Sequence, residues 1–322
     1  MIFNGGIFAL VQEKAKQTNV RIVTITRRNY RGSTPFTEAE LRVINSGTDE
    51  EKTAFMTRRG VEILVFIYKF LVENKIPLQV PEDGIPGGVA IAGWSLGVAE
   101  VLAAIASITS ADPDIQAHLA PLIHTLIIHE PSQNIIGQPL APGHWSPFHL
   151  IDQTIPESAE MSFFVWWVTA YFQHGDLSLQ SYDELAFHVP GFSLRPPTIY
   201  SIASAGRLDD IVESGAPSKV DLTFQINFGA QLLANYNAIY SNEIRVLFSN
   251  MMVFFMSGEH SPAYGPSTTW VVEDRAREHK GGFIKTKMLK GANHFVRPFL
   301  RFDDYASDTL PVVYVGKPGH DA

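Results

Sequence analysis

Short apolar, β-branched runs alternate along the chain with longer stretches whose apolar positions recur at helical spacing. Val20 to Thr26 (VRIVTIT) predicts a buried strand, and Arg27 to Ser33 leaves it as a loop. Glu50 to Asn74 carries Val61, Leu64, Val65, Ile67, Tyr68 and Leu71 on one helical face and predicts a helix. Proline and glycine between Pro77 and Gly88 predict a loop. Val89 to Gly93 is a short apolar strand, and Val98 to Ile108, rich in alanine and leucine, is a helix. Leu122 to His129 is the next strand and ends in Glu130-Pro131.

The alternation is interrupted between Pro131 and about Ser241, where prolines and aromatics concentrate and Met161 to Phe172 and Phe224 to Tyr240 are helix candidates. It then resumes with strands at Met251 to Met256 and Phe283 to Leu289, separated by a charged amphipathic helix over Thr268 to His279. The tail after Pro298 is weakly patterned. Strand and helix in alternation predict an α/β fold, a mostly parallel sheet with helices on both faces. Residues 1–130 and 242–322 are expected to form its core, and 131–241 an inserted helical cap or lid.

Composition narrows the chemistry. The 322 residues are 45% hydrophobic and 18% charged, ordinary globular values, with a formal net charge of −8. An acidic chain without a basic block is a poor partner for nucleic acid or an anionic membrane. There are no cysteines, so disulfides, thiolate nucleophiles and cysteine metal sites are excluded. Met161 to Phe172 is too short to span a bilayer, and Met1 to Ala9 carries no basic residue of a secretory signal. A cytoplasmic location is the expectation.

Gly93-Trp94-Ser95-Leu96-Gly97 is G-x-S-x-G between a strand and a helix. In that setting a tight turn pushes the serine hydroxyl out at the carboxyl end of the sheet, and the helix N-terminus offers N–H groups to a developing oxyanion. Ser95 is the candidate nucleophile and Leu96 N–H the first oxyanion donor. A serine needs a base. Of eleven histidines, His294 alone follows a late strand and opens a loop, in Gly291-Ala292-Asn293-His294-Phe295. His124 and His129, five apart on one strand, fall on opposite faces and read as core or edge histidines rather than a metal pair. Two carboxylates could orient the base, both at strand ends: Glu130, and Glu259 in Ser257-Gly258-Glu259-His260-Ser261. Glu130 leaves an apolar strand directly and needs a buried partner; Glu259 sits in a more polar loop. Six aromatics crowd residues 163–172. Trp166 and Trp167 among them, with Trp94, are candidates for contact with an apolar substrate, with packing between cap and core the equally weighted alternative.

These segments, with His129-Glu130-Pro131, resemble the α/β-hydrolase superfamily, particularly fungal members, from about Phe3 to Phe299. The resemblance implies a Ser–His–acid triad, no cofactor or metal, and a small apolar ester, lactone or related substrate. Family members commonly carry Gly-x-x-Asp after the late strand; Ser261 stands at that aspartate position here, which favours Glu130. Relatives also have further strands ahead of a His-Gly loop that carries the second oxyanion donor. This chain begins near that loop, so either the donor comes from Ile2 to Asn4, with Phe3 the candidate, or the N-terminal strands are missing. An acyltransferase or a carbon–carbon bond hydrolase with the same triad, and a catalytically impaired hydrolase-fold binding protein, are the alternatives.

Overall fold

The computed structural model describes residues 3–16, 20–75, 88–189, 194–213, 215–295 and 312–314. Six strands form one sheet: β1 (Val23–Thr24), β2 (Val89–Trp94), β3 (Ile123–His129), β4 (Met252–Gly258), β5 (Ile284–Leu289) and β6 (Val312–Tyr314). Their order is β1-β6-β2-β3-β4-β5, and every pair is parallel. The helices are α1 (Ala9–Ala15), α2 (Glu38–Ser46), α3 (Asp49–Asn74), α4 (Gly97–Ala106), α5 (Pro113–Leu119), α6 (Glu160–Val168), α7 (Thr198–Ser204), α8 (Leu208–Ile211), α9 (Ala216–Asn227), α10 (Gly229–Ala238), α11 (Asn242–Leu247) and α12 (Tyr264–Glu278). Helices α2 and α3 open on capping boxes: Thr37 and Thr48 accept from the backbone N–H of Glu40 and Glu51, whose side chains reach back.

Each face of the sheet has its own apolar layer. Ile91, Leu126, Ile128, Val253 and Phe255 share one cluster with Leu64 of α3, Leu102 of α4 and Tyr236 of α10. Ala90 and Ala92 face the other way, into a cluster with Ile7, Phe8 and Ala15 near the start of the chain and Phe164, Trp167 and Phe172 farther on. Strands covered on both faces can be apolar throughout, as β2 is. This is the α/β fold expected from the sequence, a parallel sheet with helices on both faces.

Three expectations are corrected. The strand expected over Val20 to Thr26 is a strand only at Val23–Thr24. The helix expected over Phe224 to Tyr240 is two helices, divided at Phe228, which ends α9 at φ −109°. Both pack into the core layer with α3 and α4, through Phe224, Phe228, Leu232 and Tyr236, whereas α6 and α7 lie in the cluster on the opposite face. The tail, weakly patterned in sequence, supplies β6 between β1 and β2. The Pro77–Gly88 loop lies outside the described residues except at Gly88.

Candidate active site

Trp94, His129 and Met256 pair in one row across the carboxyl ends of β2, β3 and β4. The next residues along β2 and β3 are therefore brought to the same edge: Ser95 and Glu130. Both adopt a left-handed backbone, at φ 54° and 56°, a conformation that costs a non-glycine residue about 1 kcal/mol or more and persists only where the surroundings impose it. At Ser95 the constraint is visible. Its N–H donates to His129 O at 2.8 Å, and α4 begins two residues later. Gly93 is required beneath the bend, because a Cβ there would stand 2.6 Å from Val98 Cα and 2.7 Å from Gly97 O.

Glu130 is fully buried and His294 nearly so, and the two meet: His294 Nδ1 lies 3.3 Å from Glu130 Oε2. The other carboxylate oxygen accepts from Gly258 N–H and, at 2.7 Å, from Ser261 Oγ–H. Burial pushes the His294 imidazole below its usual range, opposed by the hydrogen bond and charge of Glu130. The ring is enclosed by aromatics. Trp94 stacks on it at 5.0 Å between centroids, Tyr264 meets it edge-on at 5.6 Å, and Trp94 Nε1–H donates to His294 O at 3.1 Å. Neighbouring Asn293 ties the loop to the end of α6 and the start of α7 by donating to Thr169 O at 2.7 Å and Thr198 Oγ1 at 3.0 Å. Ser95 Oγ and His294 form no hydrogen bond to one another among the described residues; catalytic contacts of this kind commonly tighten only when substrate binds.

Glu259 does not reach His294. Its side chain is 38% exposed and accepts from Gly291 N–H at 2.7 Å, and it lies 3.8 Å from His260 Nε2. It braces the loop that carries His294 from outside, while Glu130 engages the ring. His129 is buried next to Glu130 in the chain with neither ring nitrogen hydrogen-bonded among the described residues, and burial lowers its pKa to about 4.

Two cavities adjoin Ser95 and Leu96. The larger, about 140 Å³, is bounded by Phe148, Phe164, Trp167 and Tyr264, with exposed Leu150 and Ile226 at its lip. The smaller, about 40 Å³, is bounded by Phe3, Asn4, Arg27, Tyr30 and Trp94. Trp167 and Trp94 thus each face a cavity, and Trp166, expected beside them, lines neither. Leu96 is the residue before α4 and Phe3 lines the smaller cavity with Ser95. Asn4 N–H is taken by Ile211 O at 3.0 Å, which leaves it no hydrogen for an oxyanion. Sequence reasoning missed Tyr264 and Asn293. Asn293 adjoins His294 in the quoted loop and was readable as an anchor; Tyr264 sits at a helix start with no signal beyond its type. No group of three or more potential metal ligands occurs among the described residues, and no described helix is long and apolar enough to cross a membrane.

No protein-family model and no curated relative matches the chain. Among solved structures it is similar to E-2-(acetamidomethylene)succinate hydrolase, at 12% identity over 94% of this chain and 84% of that one, with a TM-score of 0.31. It is also similar to a lipase in its open form, at 15% identity over 66% of this chain and 61% of that one, with a TM-score of 0.30. Likeness at this level carries no argument about chemistry, which rests on the geometry above.

Proposed function

We propose that the chain is a serine hydrolase that cleaves the ester or lactone bond of a medium-sized apolar substrate. The observation that supports this most is the buried Glu130–His294 pair at the sheet edge that also holds Ser95 in a left-handed bend. His294 Nδ1–H donates to Glu130 Oε2, which fixes the tautomer and leaves Nε2 free to accept a proton. Nε2 takes the Ser95 proton as Oγ attacks the substrate carbonyl, and the tetrahedral oxyanion is held by Leu96 N–H at the start of α4. Phe3 N–H is the second donor in this reading. His294 returns the proton to the leaving alkoxide, and the acyl group on Ser95 is released by water through the reverse sequence. The aromatic cavity bounded by Phe164 and Trp167 accommodates the apolar part of the substrate, and the segment between β3 and α9 serves as its lid.

Ser95→Ala tests the reading. Turnover of a short p-nitrophenyl ester should fall by at least about 10³-fold while circular dichroism is unchanged, and a fluorophosphonate should label Ser95 in the unmutated protein. Wild-type turnover in folded Ser95→Ala protein would refute it.

A further inference from the structure

The chain leaving α6 runs past both loops that carry the buried pair. Helix α6 lines the larger cavity with Phe164 and Trp167 and ends at Val168. Directly after it, Thr169 O and Ala170 O accept from Asn293 Nδ2–H at 2.7 and 3.3 Å, beside His294. Phe172 N–H donates to His260 O at 2.9 Å, and Phe172 O accepts from His260 Nδ1–H at 2.7 Å. His174 Nε2 lies 2.8 Å from Ser261 O, in the turn after β4. That turn holds Glu130. Gly258 N–H and, at 2.7 Å, Ser261 Oγ–H donate to Glu130 Oε1, while Glu130 Oε2 lies 3.3 Å from His294 Nδ1.

The partners of His174 fix its tautomer. A carbonyl only accepts, so Nε2 carries the hydrogen; Nδ1 accepts from Ala186 N–H at 2.9 Å, so it carries none. The ring is therefore neutral, and burial, which pushes its pKa below the usual range, keeps it so. Its plane lies within 11° of the Phe172 ring, and Phe172 is fully buried. We infer that His174 is a positioning residue: by holding Ser261 O it sets the hydroxyl that aims Glu130 at His294, and so joins the helix that lines the cavity to the alignment of acid and base. The inference rests on the reading of His294 as the base for Ser95. Without this donor the Ser261 peptide can turn, its hydroxyl leaves Oε1, and the carboxylate keeps Gly258 N–H alone.

Three substitutions separate the two arms of the ring. His174→Gln can keep a donor for Ser261 O, His174→Asn can keep an acceptor for Ala186 N–H, and His174→Phe keeps neither. On a p-nitrophenyl ester, the Phe and Asn variants should lose about 10-fold in kcat with KM within about twofold, the scale on which partners one step removed from a reacting group act. His174→Gln should stay within about threefold of the unmutated kcat. The pH dependence of fluorophosphonate labelling gives a second readout. The titratable groups facing His294 are Glu130 and His129 at the end of β3 and Tyr264 of α12. Glu130 raises the His294 pKa against burial, and neutral His174 adds no charge. A misaimed Glu130 should therefore move the acid inflection to lower pH in the Phe and Asn variants and leave it in place in His174→Gln. Unmutated kcat in folded His174→Phe overturns the inference. So does a fall in kcat with the inflection unmoved, which marks a structural role alone. If His174→Phe does not fold, the other two decide, and a Gln variant no faster than the Asn variant overturns the route through Ser261. Full turnover in Ser95→Ala would instead strike the reading on which the inference rests, so the two failures are distinguishable.

Discussion

His129 places an imidazole where neither nitrogen finds a partner among the described residues, in the row that also holds Trp94 and Met256. A buried polar group without a hydrogen bond costs free energy, and a buried cation far more, so the ring stays neutral and its pKa falls from 6.5 to about 4. The linkage has a definite sign. In the unfolded chain the imidazole binds a proton below about pH 6.5, and in the folded protein only below about 4. Between those values the unfolded state binds more protons, so stability is lost as the pH falls, by on the order of 3 kcal/mol across the window. His129→Leu removes the titrating group and the unpaired nitrogens together. Urea unfolding at pH 7 and pH 4.5 should show a smaller acid loss in the variant, the remainder coming from other buried histidines such as His294 and His174. An identical loss in both proteins would exclude His129 as a source.

Between elements, the tie from the β1 loop to α9 is the most exacting. Arg27 holds Asp221 with both terminal nitrogens, at 3.0 and 2.6 Å, and Tyr30 Oη–H donates to the same carboxylate at 2.5 Å. Asp221→Ala leaves a guanidinium and a phenol without their shared acceptor in a largely buried site, and unfolding free energy should fall by about 3 kcal/mol. Arg27→Met/Asp221→Leu should cost less than the sum of the single changes, because no unpaired charge remains. Denaturant unfolding of Asp221→Ala, Arg27→Met, Asp221→Leu and the double variant measures the coupling.

Sequence revealed the central elements and obscured the edges, for reasons visible in particular residues. β2, the Ser95 bend and α4 were legible because one short stretch carries the apolar strand, the small residues of the turn and the helix former together. α9 and α10 blurred into one helix because Phe224, Phe228, Leu232 and Tyr236 keep helical spacing through the break at Phe228–Gly229. The sequence favoured Glu130 over Glu259 without settling the choice, since it turns on side-chain direction: Glu130 crosses to the turn after β4, while Glu259 turns back to Gly291 N–H. Neither contact is local in sequence.

In the molecule as a whole, β1 and β2 do not pair with each other; both pair with β6. Removing residues 312–322 would leave the backbone groups of Val23, Ala90 and Ile91 that face the gap without their sheet partners, and buried backbone groups are costly unpaired. The shortened protein should unfold less cooperatively, with faster hydrogen exchange in β1 and along the β1-facing edge of β2 than along the edge that pairs with β3. Exchange equal to that of the full chain would show that β6 contributes nothing to the sheet. The same arrangement dictates an order of assembly. Val23 waits for Val313 and Ala90 for Val312, so the place next to the edge strand β1 is filled by a segment synthesised after every other strand described here. Pairing so distant in sequence is slow to form. A nascent chain must therefore keep a slot open between β1 and β2, exposing sticky backbone to its neighbours until residues 312–314 arrive.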